Sequence, residues 1–168
     1  FSVALRGLQI SFGKQSLELG PGSGGSLLFS NNAPAIPMLR FEPISPGRIP
    51  GLSRLLGPIR TEYFIGQLSG HHWISANGTL VGPNIDSQPF IHGTKFSFKP
   101  TANLEFGFGL TALFGGPELP VTFGNFFRSY YGNAVPGTST DFGDRRSTFD
   151  LSYRVPHLRD WLTFYVDS

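Results

Sequence analysis

The chain has no cysteine in its 168 residues. That excludes a disulfide scaffold, a thiolate metal centre and a cysteine nucleophile. Charge is also scarce, at 14% Asp, Glu, Lys and Arg against roughly 25% in ordinary soluble proteins. The 13 basic and 11 acidic side chains nearly balance, so charge gives no reason to expect a nucleic-acid partner. No run of about 18 apolar residues occurs, which excludes a helical membrane span but not a crossing made of strands. The first residue is Phe1, with no charged and then apolar leader behind it. The expectation is a signal already removed, or a start inside a longer chain.

Catalytic and cofactor signatures are missing as well. No serine lies in a G-x-S-x-G turn, and no Ser-His-Asp ordering stands out. His71 and His72 are adjacent, so in a strand they point to opposite faces and cannot share an ion. Gly20, Gly22 and Gly25 have dinucleotide-loop spacing, but an extended run ending in Asn31, Asn32 and Pro34 follows where that loop needs a helix. Gly13-Lys14 lacks the glycine spacing and the hydroxyl of a phosphate loop. Asn77-Gly78-Thr79 has the form of a glycosylation site and reads as a turn. No enzyme, no cofactor and no metal site are expected.

Glycine (22), proline (14) and phenylalanine (17) are plentiful. The first two punctuate the chain too often for long helices. Phenylalanine falls into a period of two. Leu104, Phe106, Phe108, Leu110, Ala112 and Phe114 alternate with Asn103, Glu105, Gly107, Gly109, Thr111 and Leu113, which predicts a strand with one apolar face and one polar or bare face. Phe90 to Phe98 alternates likewise, and the turn at Pro100–Ala102 joins the two into a hairpin with Lys95 and Glu105 on the same, less apolar side. Arg146–Val155 and Trp161–Ser168 continue the pattern across a turn at Pro156–Arg159. Weaker strands read at Val3–Phe12, Gln15–Leu19, Ser26–Ser30, Leu39–Phe41 and Arg60–Leu68, with a short helical turn at Leu52–Leu56. Gly115–Gly143 is the longest irregular stretch, and a loop of that length is usually functional.

Strands of about ten alternating residues joined by unequal connections predict an all-β, antiparallel transmembrane β-barrel segment, with roughly eight to nine strands over residues 1–168 as a single unit. The Leu and Phe face would meet lipid. Lys95, Lys99, Glu105, Asp150 and Arg154 would line the lumen, and the Asp144, Arg145, Arg146 cluster would sit in the lumen or at a rim, ordering the wall or binding an anionic sugar. Asn125, Phe127, Arg128, Tyr130 and Tyr131, in the aromatic part of the long loop, are candidate sugar contacts or girdle residues. A β-sandwich or soluble barrel would alternate too, and a small porin-like or structural eight-stranded barrel fits the length.

Three segments carry a family resemblance: SLLFSNNAPAIP at Ser26–Pro37, FKPTANLEFGFGLTALFGG at Phe98–Gly116, and GDRRSTFDLSYRVPHLRDWLTFYVDS from Gly143 onward. Together they resemble the capsule-assembly Wzi family of bacterial outer-membrane proteins. The resemblance implies a large monomeric barrel in the outer membrane, a lectin and not an enzyme, that helps attach or organise capsular or extracellular polysaccharide. Its partners would be that polysaccharide and outer-membrane lipid. The chain would then be an internal part of such a barrel, without the family's periplasmic helical region, and the family supplies no catalytic motif to transfer.

Overall fold

The computed structural model describes residues 1–17, 34–70, 72–74, 80–84, 87–116, 120–132, 144–158 and 160–168. Eight strands form one antiparallel sheet in which every neighbour is also the next strand of that sheet along the chain: β1 (Ser2–Leu5), β2 (Leu8–Gln15), β3 (Ile36–Pro43), β4 (Ile59–Gln67), β7 (Phe90–Phe98), β8 (Leu104–Phe114), β9 (Arg145–Arg154) and β10 (Thr163–Asp167). Between β4 and β7 the chain makes a separate two-stranded ribbon, β5 (His72–Ile74) with β6 (Leu80–Asn84). Among the described residues, two short helices, α1 (Leu52–Leu56) and α2 (Phe123–Tyr131), lie in the connections.

Alternation decides the faces. Phe96 stands opposite Phe108 and Phe108 opposite Phe149, while Gly107 stands opposite Asp150 and Glu62 opposite Lys95. Because directly paired residues share a side, one face collects Phe and Leu and the other collects the charges. The burial is inverted relative to a soluble sheet. Phe108 and Phe149 are each 46% exposed, whereas Asp150 is 4% exposed. A sheet curled toward its polar side produces this arrangement, with lipid as the solvent of the apolar side.

The meander sorts its connections by end. Residues 16–35, 68–89 and 115–144 link strands at one end; 6–7, 44–58, 99–103 and 155–162 link them at the other. Long connections at one end and shorter ones at the other is the habit of an outer-membrane wall, whose long loops face outward. At the long-loop end an apolar cluster of Leu17, Met38, Phe64 and Ile91 closes over the polar side, with Ile36, Leu68 and Leu113 packed against it. Gly93 makes room for it, since a Cβ there would lie 2.5 Å from the Phe64 ring.

Several expectations change. The single strand at Val3–Phe12 is a hairpin, β1 and β2, turning at Arg6 (φ 47°) and Gly7 (φ 84°). Both central residues are left-handed, the backbone that a two-residue turn between twisted strands requires, and an arginine there hides the signal. β3 is longer than Leu39–Phe41. Its stretch paired on both sides is Met38–Phe41, and Pro37 and Pro43 lie outside it, where their missing N–H groups interrupt less of the ladder. The irregular stretch Gly115–Gly143 contains α2, and β5–β6 had no counterpart in the alternation. The predicted strand Ser26–Ser30, the glycine spacing at Gly20–Gly25, His71 and the Asn77-Gly78-Thr79 turn lie outside the described residues, as does the end of the strand expected at Gln15–Leu19. α1 falls where the helical turn at Leu52–Leu56 was expected.

Candidate functional site

The polar side carries a chain of ion pairs running across the strands. Arg40 on β3 meets Glu42 at 3.0 Å and, on the next strand, Glu62 at 2.8 Å. Glu62 is paired in register with Lys95 of β7, which reaches Asp150 of β9 at 2.8 Å. That last contact spans two strands, a distance of about 10 Å between backbones. β8 permits it by presenting glycine on this face. Lys95 stands opposite Gly109 and Asp150 opposite Gly107, so the lysine stem lies across a lane without side chains. A Cβ on Gly107 would come within 2.5 Å of the Asp150 carboxylate. Thr148 continues the network by donating to Asp167 of β10 at 2.9 Å. Lys99 and Glu105, 3.9 Å apart, form a more exposed pair near the short-turn end.

The second feature lies on the opposite side. Within the apolar row of β7, His92 and Thr94 interrupt the phenylalanines, and unpaired polar groups on a lipid-facing wall are costly. α2 covers them. His92 Nε2 lies 2.6 Å from Ser129 Oγ, and the Thr94 hydroxyl 3.0 Å from that of Tyr130. Ser129 Oγ donates its one hydrogen to the Phe126 carbonyl at 2.6 Å, so it must accept from His92. Nε2 of the ring therefore carries a hydrogen. Phe114, Phe126 and Tyr130 surround it at centroid distances of 5.2, 4.5 and 4.2 Å, and His92 is fully buried.

The helix is short and closed at both ends by side chains. Thr122 accepts from the Asn125 N–H at 3.1 Å, and the Asn125 side chain donates to the Pro120 carbonyl at 2.8 Å. At the other end Arg145 donates to the carbonyls of Tyr130 and Gly132, satisfying groups that a helix C-terminus leaves bare. The N-terminal turn of α2 lies near Tyr63 and Ile65 of β4, and its C-terminus is held by Arg145 of β9. The axis therefore crosses the strands. Burial raises the pKa of the Tyr130 phenol above its usual value, with the Thr94 hydrogen bond pulling the other way.

The residues singled out from the sequence separate into distinct places. Arg128 and Tyr131 are exposed on α2, Tyr131 at 78%. Tyr130 is turned to the wall, Asn125 is committed to the first turn of the helix, and Phe127 flanks a groove between α2 and the sheet. Lys95, Asp150 and Glu105 occupy the polar side, and Arg154 lies on the same face beside Thr163. Asp144 and Arg146 pair at 2.6 Å on the exposed long-loop rim. Arg145 is also at that rim, on the apolar face, opposite Ala112. Sequence reasoning passed over Arg40, Glu62, His92 and Ser129. The signal for His92 was present, as a polar break in a row of phenylalanines. Among the described residues no group of three or more His, Cys, Asp or Glu gathers.

An antiparallel meander with an apolar outer face, an ion-paired inner face and long connections at one end is a segment of an outer-membrane β-barrel wall. The family model for capsule assembly protein Wzi matches residues 1–168, and the chain belongs to that family. Among solved structures, the chain is similar to Wzi of Escherichia coli, described as an outer-membrane protein involved in group 1 capsule assembly and as a carbohydrate-binding β-barrel. The likeness has a TM-score of 0.71 at 20% identity, over 99% of this chain and 32% of that one. The chain thus spans about a third of the length of that barrel. No curated protein matches it in sequence.

Proposed function

We propose that this chain is part of a non-enzymatic, monomeric outer-membrane barrel that binds capsular or extracellular polysaccharide and helps hold it at the cell surface. The observation that carries the reading is the end of the sheet where long connections gather, with α2 fixed across the wall there and presenting Arg128 and Tyr131 outward. Family membership and the described carbohydrate binding of the Escherichia coli barrel support it. A guanidinium forks onto sugar hydroxyls or carboxylates, and an aromatic ring stacks on the apolar face of a pyranose. Each contact is weak and the polymer is repetitive, so retention comes from many sites engaged together. Tyr130, Asn125 and Phe127 serve this surface by holding the helix that bears it.

The test is capsule retention by cells expressing the whole barrel with Arg128→Ala and Tyr131→Ala. Cell-bound polysaccharide should fall and released polysaccharide rise, while the unboiled barrel keeps its fast gel mobility. Unchanged retention with both substitutions would remove the helix from the binding surface.

A further inference from the structure

Between the N-terminal turn of α2 and the apolar side of the sheet runs an open groove of about 390 Å³. Its walls are Tyr63 and Ile65 of β4, Phe114 of β8, and Phe123, Phe126 and Phe127 of the helix. Almost nothing polar lines it. Phe123 is 88% exposed and Val121 and Phe127 more than half exposed, which in water would be an unfavourable apolar patch beside an already apolar wall.

The location supplies the solvent. Tyr63, Ile65 and Phe114 share their face with Phe96, Phe108 and Phe149, so the groove floor continues the surface that this outer-membrane wall presents to the bilayer. Its height is fixed by the strands. α2 touches β7 at His92 and Thr94, near the long-loop end of a strand running from Phe90 to Phe98. The helix lies across the strands at the outward margin of the apolar belt, as helices that rest in a membrane interface do. It is also pinned by the two polar pairs to the wall, which fixes the width of the groove before any ligand arrives.

We propose that this groove holds a fatty acyl chain of an outer-leaflet lipid, so that the bilayer itself completes the seat of α2. A saturated chain is a flexible, apolar cylinder without hydrogen-bonding groups, and the groove asks for nothing more. Binding here does not require polysaccharide. The inference rests on the outer-membrane location of the wall and stands or falls separately from the sugar reading.

The experiment places a fluorescent reporter at the groove. The whole barrel carrying Phe123→Trp, and in a second preparation Phe127→Trp, is reconstituted in phosphatidylcholine vesicles whose acyl chains are brominated near the headgroup. Every other tryptophan of the barrel, Trp73 and Trp161 among them, is replaced by phenylalanine in all preparations, and Phe12→Trp, exposed on the same face and level in register with Ile65 of the groove, serves as the lipid-exposed reference. Both groove positions should lose emission as steeply with rising brominated lipid as the reference does, and should resist quenching by aqueous acrylamide. Two results would overturn the proposal: quenching by acrylamide without quenching by bromine, meaning that water fills the groove, or quenching by neither, meaning that another part of the protein covers it. Loss of capsule retention in the Arg128→Ala and Tyr131→Ala barrel with lipid quenching intact would separate the two functions.

Discussion

Gly107 should govern an ion pair to which it contributes no atom. Lys95 and Asp150 meet at 2.8 Å with side chains 11% and 6% exposed, and they do so across a strand whose lumen face is bare at 107 and 109. At an effective dielectric of about 20 two charges 4 Å apart attract by roughly 4 kcal/mol before desolvation, and truncating one partner of a buried pair costs about 3–5 kcal/mol. Water in the lumen reduces that figure, so Asp150→Ala should cost about 2 kcal/mol and the Asp150→Asn, Lys95→Met double-mutant cycle should return a coupling of about 1–2 kcal/mol. Gly107→Ala puts a methyl 2.5 Å from one carboxylate oxygen and 2.7 Å from the other. Moving the carboxylate aside should cost about 1–3 kcal/mol and break the pair. Lys95→Met should then cost almost nothing further in the Gly107→Ala barrel. Urea unfolding of the whole barrel in detergent, followed by loss of the fast unboiled gel band, measures all four quantities. If Lys95→Met is as damaging in the Gly107→Ala background as in the parent, the lane across β8 is not what brings the charges together.

Two further substitutions test local geometry. Gly57 closes α1 with φ 73°, and a Cβ there would collide with the Lys99 carbonyl, which is backbone and cannot swing away; Gly57→Ala should destabilise the barrel by at least about 3 kcal/mol in the same unfolding assay. Tyr130 is a pH-dependent anchor. An unfolded tyrosine ionises near pH 10, whereas burial holds the docked phenol neutral to higher pH. Its contribution to the seat of α2 is complete below pH about 10 and is lost as pH rises through the higher folded value. The difference in phenolate absorbance between the parent and the Tyr130→Phe barrel should therefore be one late-titrating tyrosine, while that substitution speeds amide exchange in α2 at neutral pH through loss of the Thr94 bond.

The strands from β7 onward were legible because period-two alternation is imposed by geometry, and a residue facing lipid has almost no chemical latitude. Phe96, Phe108 and Phe149 announce their face one residue at a time. The first hairpin was not, because Arg6 occupies a left-handed position that a sequence marks reliably only when Gly or Asn holds it. α2 was hidden for a related reason. Its helical stripe of Phe126, Ser129 and Tyr130 is too short to establish a period, and the partners that define it, His92 and Thr94, lie more than thirty residues away. The charges on the lumen side could be assigned to a face but not to one another, since pairing across β8 depends on the register of three strands. Arg128 and Tyr131 were singled out by their chemistry alone, and their separation from Tyr130, which is turned to the wall, required the helix.

Alternation alone leaves one error unguarded. A strand displaced by a single residue would turn phenylalanine into the lumen and be rejected by the membrane at once. A displacement of two residues leaves each side chain on the face it already had, so the bilayer cannot detect it. Such a shift of β9 against β8 would carry Asp150 away from Gly107 and out of reach of Lys95, and a shift of β4 would separate Glu62 from Arg40. The ion pairs thus act as a vernier on the barrel wall, marking the correct alignment on a surface where greasy contacts read the same at every second notch.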